Sequence, residues 1–224
     1  MKNKLEHIAF IMDGNKRWSK KNNKKHFDAY LAGANKLIKI SKYIFDSQDV
    51  KYISAFALSK NNLKRSSAAI STLKSVLQYF IENHSSNLEY NFQILFKGDK
   101  SFLSSYLLNK IIKLEGFNKG CKKKLFIYIN YSGQDDIIDS FKKINFTKIK
   151  FNKQNFLKNL TTKNIPNPDL LIRTGGHQRI SDFMLYQLSF TELIFTKKLW
   201  PDLTNKSIDK FISTFNNTER KFGI

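Results

Sequence analysis

The chain has 224 residues, 41% of them apolar, and a formal charge of +21 from 39 basic and 18 acidic side chains. Its single cysteine, Cys121, excludes an intrachain disulfide framework and any cysteine-based zinc site, and fits a reducing cytoplasm. No stretch approaches the ~20 apolar residues of a membrane-spanning helix, so any membrane contact is expected to be peripheral.

Ile8 to Met12 is a short uncharged apolar run, suited to a strand buried on both faces. It stops at Asp13-Gly14-Asn15, a turn tripeptide in which Gly14 permits a positive φ. Lys16 and Arg17 follow at once, then a lysine cluster of Lys20, Lys21, Lys24 and Lys25. From Gly33 to Phe45, Leu37, Ile38, Ser41, Ile44 and Phe45 share one helical face. Tyr52 to Leu58 is a second strand, ending in the polar loop Ser59 to Arg65. Ser67 then caps a helix with the stripe Ile70, Leu73, Leu77, Phe80 and Ile81. Asn91 to Phe96 is a third strand, and Phe102 to Leu114 is helical.

Leu125 to Asn130 is a fourth strand, followed by Tyr131-Ser132-Gly133 and a helix from Asp135 to Ile144. A polar helix is expected over Phe151 to Leu160, then a proline turn at Ile165-Pro166-Asn167-Pro168. Asp169 to Ile172 is a fifth strand, broken by Arg173-Thr174-Gly175-Gly176. Ser181 is expected to cap a helix reaching Leu188, with a last short strand at Leu193 to Phe195 and a helix at Ser207 to Phe215. The alternation predicts one α/β domain over residues 1–224, with a mainly parallel central sheet flanked by helices. No linker or internal repeat interrupts it.

In a parallel sheet the turns after the strands gather at the carboxyl edge, where open α/β folds bind ligands. They deliver Asp13, Asn15, Arg17, Ser59, Asn62, Arg65, Arg173, Arg179, Ser181 and, slightly later, Glu192. Arginine forks around two carboxylates suit a diphosphate and one divalent metal. No G-x-G-x-x-G, Walker or G-x-S-x-G sequence is present, and no His/Cys set suggests zinc.

These stretches carry a family resemblance. Ile11-Met12-Asp13-Gly14-Asn15-Lys16-Arg17-Trp18 resembles the signature of the cis-prenyltransferases, the undecaprenyl diphosphate synthase family. Ala57 to Arg65 is similar to that family's Ala-Phe-Ser-x-Glu-Asn-Trp-x-Arg, and Asn130 to Gly133 to its Asn-Tyr-Gly-Gly. Asp169 to Asp202 and the terminal Glu219 to Gly223 resemble its C-terminal signatures.

The resemblance implies a homodimeric, Mg²⁺-dependent enzyme with a hydrophobic tunnel walled by the helix from Ser67 to Asn83. It would extend an allylic diphosphate, commonly farnesyl diphosphate, with successive isopentenyl diphosphates, each new double bond being cis. An undecaprenyl product would serve as a cell-wall lipid carrier. Asp13 would be the catalytic, metal-linked carboxylate, Asn62 would stand near proton transfer, and Glu192 would be a second metal ligand, supplied from a partner subunit. Gly14, Asn15, Lys16 and Arg17 would cradle the allylic diphosphate, and Trp18 would line the mouth. Arg173, Arg179 and Ser181 would clamp isopentenyl diphosphate, with Ile180, Ser59 and Arg65 beside them.

The sequence departs from the pattern at several positions. Asn61 stands for a Glu, Leu63 for a Trp, His26 for an Arg, Tyr30 for a His, His177 for a Glu and Gln134 for an Arg. Of these, Asn61, Leu63, His26 and Tyr30 fall among the implied substrate-binding residues, as does Lys60 within the same loop. The rival readings are a short-chain or branching prenyl coupler, and a non-catalytic binding subunit on the same fold. A third rival is nucleic-acid binding driven by the +21 charge, for which Phe27 and Tyr30 after the first lysine cluster are weak support; no nucleic-acid partner is expected.

Overall fold

The computed structural model describes residues 4–64, 67–84 and 90–220. Six strands form one parallel sheet: β1 (His7–Ile11), β2 (Tyr52–Ser59), β3 (Gln93–Lys97), β4 (Lys124–Tyr131), β5 (Leu170–Arg173) and β6 (Glu192–Phe195). Their order is β3-β4-β2-β1-β5-β6. β1 is the pivot. The chain leaves it toward β2 on one side and later returns to its other side as β5, so the connections diverge above β1 and β5. That divergence opens a crevice outside the carboxyl ends of those two strands.

The expected strands fall where the apolar runs predicted them. β1 is buried at every position, with Ile8 and Phe10 in the larger core and Ala9 and Ile11 in a smaller one on the opposite face. The larger core is completed by α2 (His26–Ser47), α3 (Ser67–His84), α4 (Ser105–Gly116) and α7 (Asn205–Asn216). On the other face lie α5 (Gly133–Phe146) and α6 (Lys153–Asn159). The Tyr131 hydroxyl, in the smaller core, donates to Asp136 of α5 at 3.0 Å.

Three local features differ from expectation. A short helix, α1 (Asn15–Lys21), follows the Asp13-Gly14 turn directly. α2 begins at His26 rather than Gly33, so Gly33 lies inside the helix. Its place there is steric: a Cβ would stand 2.4 Å from Asn15 Oδ1 and 3.2 Å from Trp200 Cδ1.

The helix expected from Ser181 to Leu188 does not form. Ser181, Asp182 and Met184 have φ of +49°, +66° and +47°, which a right-handed helix cannot contain. The turns serve two other ends. They bury Phe183 and Met184 completely, and they set the Asp182 carbonyl and carboxylate to accept from the first amides of α5, Gly133 N at 2.8 Å and Gln134 N at 2.9 Å.

Candidate active site

The Asp13 turn is held from behind. Thr174 Oγ1 donates to the Asp13 carbonyl at 2.7 Å, and the Trp200 amide donates to the same oxygen at 3.1 Å. Gly14 takes φ +114°, and a Cβ there would stand 2.9 Å from the Leu199 side chain and 3.0 Å from its Cα. Asn15 Nδ2 donates to the Met12 carbonyl at 3.1 Å, while Trp200 Nε1 ties the following turn to the Gly33 carbonyl at 2.8 Å. The first amide of α1 with an intrahelical partner is Trp18, bonded to the Gly14 carbonyl. The amides of Asn15, Lys16 and Arg17 precede it, the arrangement that presents N–H groups to an anion.

The Asp13 side chain meets two guanidinium groups. Its Oδ2 accepts from Arg173 Nη2 at 3.0 Å and its Oδ1 from Arg17 Nη2 at 3.4 Å. Arg173 closes β5, beside Ile11 in register, and its side chain is 5% exposed. Its other terminal nitrogen donates to Ser181 Oγ at 2.7 Å and to the Arg179 carbonyl. The left-handed backbone at Ser181 is what turns its hydroxyl to that guanidinium. Gly175, at φ +82°, leaves room: a Cβ would lie 2.5 Å from Arg17 Nη2 and 3.1 Å from Asp13.

This cluster lines the mouth of a cavity of about 1190 Å³. Asp13 through Arg17, His26, Tyr30, Ser59, Asn61, Asn62, Arg173, Arg179 and Ser181 all border it. Behind the polar mouth the walls are apolar: Leu37 of α2, Leu73, Val76, Leu77 and Phe80 of α3, and Ile127 and Ile129 of β4. α3 thus forms the wall that the family resemblance implied. β2 has an irregular register between Phe56 and Ser59, which turns Ala57 to the cavity. Ser59 Oγ accepts from the Asn62 amide at 3.2 Å and so shapes the 3₁₀ turn Lys60–Lys64 that carries Asn61 and Asn62.

Several expected residues stand elsewhere. The Trp18 indole donates to Asp202 at 2.7 Å and does not border the cavity, because the Trp200–Asp202 turn packs against α1. Leu63 packs on the larger core, and Ile180 on the smaller one. Lys60 pairs with Asp135 at 2.6 Å, and that hydrogen bond holds its ammonium above the usual lysine range. Arg65 lies outside the described residues.

Glu192 opens β6 opposite Leu170, three residues short of the carboxyl end, which is roughly 10 Å along the strand. Its carboxylate sits 3.9 Å from Arg220 Nε. One chain therefore does not bring Glu192 to Asp13. Thr174, Gly33, Ala57 and Asp182 shape the site without having been singled out for it. Thr174 had a signal, its place inside the Arg-Thr-Gly-Gly turn; Gly33 had none.

An apolar cavity with cations and the Asp13 carboxylate at its mouth, at the switch point of a parallel sheet, is an α/β site whose chemistry suits an amphiphile with an anionic head. The chain matches the family described as "Putative undecaprenyl diphosphate synthase" over residues 11–223. It is 37% identical over 224 residues to an isoprenyl transferase of Fusobacterium nucleatum, covering 99% of this chain and 97% of that one. It is 34% identical to a ditrans,polycis-undecaprenyl-diphosphate synthase, (2E,6E)-farnesyl-diphosphate specific, of Buchnera aphidicola, covering 99% and 92%. Its fold resembles lavandulyl diphosphate synthase from Lavandula x intermedia in complex with dimethylallyl diphosphate, with a TM-score of 0.86, 28% identity and 98% of each chain covered. The chain belongs to the undecaprenyl diphosphate synthase family, the cis-prenyltransferases. No helix among the described residues is long and apolar enough to cross a membrane.

Proposed function

We propose that this enzyme condenses isopentenyl diphosphate repeatedly onto an allylic diphosphate, farnesyl diphosphate in the first round, to give a long cis-polyprenyl diphosphate of undecaprenyl type for a cell-wall lipid carrier. The observation that carries the reading is the joining of the Asp13–Arg17–Arg173 cluster to an apolar cavity of about 1190 Å³. That exceeds the ~300–1,000 Å³ of pockets for drug-sized ligands, as a chain lengthening inside the protein requires.

The allylic C–O bond breaks and the diphosphate departs with both electrons. The isopentenyl double bond attacks the allylic carbon, and a proton passes from the isopentenyl C2 to the released diphosphate as the new cis double bond forms. Charge grows on the departing oxygens, where Lys16, Arg17 and the amides at the start of α1 stand ready to receive it. Arg173, fixed by Ser181, and Arg179 at the rim hold the second diphosphate as paired donors. Asn62, which borders the cavity, would stand near the proton that leaves. The apolar walls keep water from the allylic centre.

The donor set fits magnesium carried by the substrate. Among the described residues no three His, Cys, Asp or Glu side chains form a metal cage, and Mg²⁺ commonly takes one or two carboxylates with phosphate oxygens and water. Asp13 would hold it, and the ion would neutralise the leaving group. A homodimer is part of this reading, in which a Glu192 near this Asp13 would have to come from a second copy.

A second reading, the coupling of short allylic diphosphates, draws on the likeness to lavandulyl diphosphate synthase. Product mass spectrometry, with farnesyl or dimethylallyl diphosphate as starter, separates the two. Long products from farnesyl diphosphate support the first. Ten-carbon products alone overturn it.

A further inference from the structure

The register of β2 and β4 sets Ser59 beside Tyr131, the last residues of the two strands. The segments that follow therefore start at one level of the carboxyl edge. After β2, Lys60 opens the 3₁₀ turn that carries Asn61 and Asn62 to the cavity. After β4, Ser132 caps α5 by accepting from the Asp135 amide at 3.2 Å, which places Asp135 in the first helical turn. The two side chains meet there, and Lys60 Nζ donates to Asp135 Oδ2 at 2.6 Å.

The same turn of α5 reaches the opposite rim of the cavity. The Gly133 and Gln134 amides hold the Asp182 carbonyl and carboxylate. A Cβ on Gly133 would stand 2.9 Å from that carbonyl oxygen, so the approach is as close as backbone allows. Asp182 follows Ser181, whose hydroxyl accepts from Arg173 at 2.7 Å. Gly133, Gln134 and Asp135, three consecutive residues, thus bond to both rims: the Asn62 turn on one side and the Ser181–Arg173 clamp on the other.

Lys60 does not border the cavity, although Ser59, Asn61 and Asn62 do, and Asp135 does not border it either. Asp99 and Asp139 act on the same ammonium, so acidic groups of this chain hold it rather than a bound anion. Both partners are partly exposed, and such a pair adds little to stability. Its leverage is geometric, since a reacting group misplaced by about 1 Å can cost ~100-fold in rate.

We propose that Lys60 and Asp135 are positioning residues for the condensation: by tying the Asn62 turn to α5, the pair fixes Asn62 against the Ser181–Arg173 clamp without touching substrate. The proposal rests on the function read from the site above.

The test is a double-mutant cycle. Kinetics are run with isopentenyl diphosphate varied, farnesyl diphosphate saturating and Mg²⁺ present, and hydrogen exchange is followed over residues 59–64, where the Asn62 amide bonds Ser59. Lys60→Gln and Asp135→Asn should each lower kcat by about tenfold, with the KM for the allylic diphosphate within about twofold of the parent and the melting temperature unchanged. The double variant should be no worse than either single one, because each change removes the same link. Exchange over 59–64 should rise alike in all three. Additive losses, or a loss in Lys60→Gln that Asp135→Asn does not share, would give Lys60 a substrate contact of its own and overturn the inference. Effects of opposite sign, the mark of a charge acting at a distance on the diphosphates, would overturn it too, as would three variants as active as the parent. If the parent itself leaves isopentenyl diphosphate unused, the proposed function fails, and exchange then decides whether the pair holds the Asn62 turn: matched rises uphold that, and unchanged exchange overturns it.

Discussion

The Asp13 carboxylate and the Arg173 guanidinium meet at 3.0 Å, and each comes from the carboxyl end of one of two neighbouring strands, β1 and β5. The parallel register sets Ile11 beside Arg173, so the turn two residues later brings Asp13 over the guanidinium. Ser181 holds the other arm of the same fork. Lysine could supply the charge but not the two directions. Arg173→Lys is expected to lower kcat/KM by about a hundredfold or more while melting near the parent temperature, as steady-state kinetics and calorimetry would show.

Gly175 is the contact that lets Arg17 lie against Asp13. A methyl group there would stand 2.5 Å from Arg17 Nη2, on a backbone at φ +82°. Gly175→Ala is expected to displace Arg17 and weaken use of the allylic diphosphate by about tenfold to a hundredfold. Kinetics with each substrate varied in turn would show the larger effect on the allylic one.

Gly33 supports the site from inside α2. Alanine there would meet Asn15 Oδ1 at 2.4 Å with no room behind it, because Trp200 lies on the same side. Gly33→Ala is expected to cost about 1–3 kcal/mol by overpacking, although alanine favours helix more than glycine does. Urea denaturation gives the sign: destabilisation supports the packing, and stabilisation contradicts it.

His7 makes stability depend on pH. Its ring is buried between the Pro166 carbonyl at 2.6 Å and Ser54 Oγ at 2.9 Å, and burial pushes its pKa down to about 4. The unfolded chain binds a proton near pH 6.5, and the folded one does not until about pH 4. The stability from this group is therefore complete above pH 6.5 and falls away as pH drops from 6.5 to 4. The loss is roughly 3 kcal/mol at ~1.4 kcal/mol per pH unit. Urea midpoints at pH 7.5 and 4.5 should show this difference shrinking in His7→Gln.

The strands were legible because a parallel sheet buries both faces, leaving uncharged runs such as Ile8 to Ile11 that need no partner to be recognised. The start of α2 was not, because a glycine ordinarily marks a boundary, and Gly33 is kept for space around Asn15 and Trp200. The Ser181 to Leu188 segment has a helical pattern, yet its tertiary contacts outweigh it: Phe183 and Met184 fill the smaller core, and Asp182 satisfies two amides of α5. The candidate mouth was legible as a set of strand-end residues. The Trp18 contact is not legible, because its partner, Asp202, lies 184 residues away. Glu192 lies at the start of β6, where one chain keeps it from Asp13.

The most direct measurement compares the parent with Asp13→Asn, which keeps the shape of the side chain and removes its charge. Each would be supplied with farnesyl diphosphate, isopentenyl diphosphate and Mg²⁺, with diphosphate release and prenyl product followed together. The parent should consume isopentenyl diphosphate, a chelator should stop it, and the variant should be slower by about a thousandfold. A parent that leaves isopentenyl diphosphate untouched, or a variant that turns over as fast as the parent, would contradict the account.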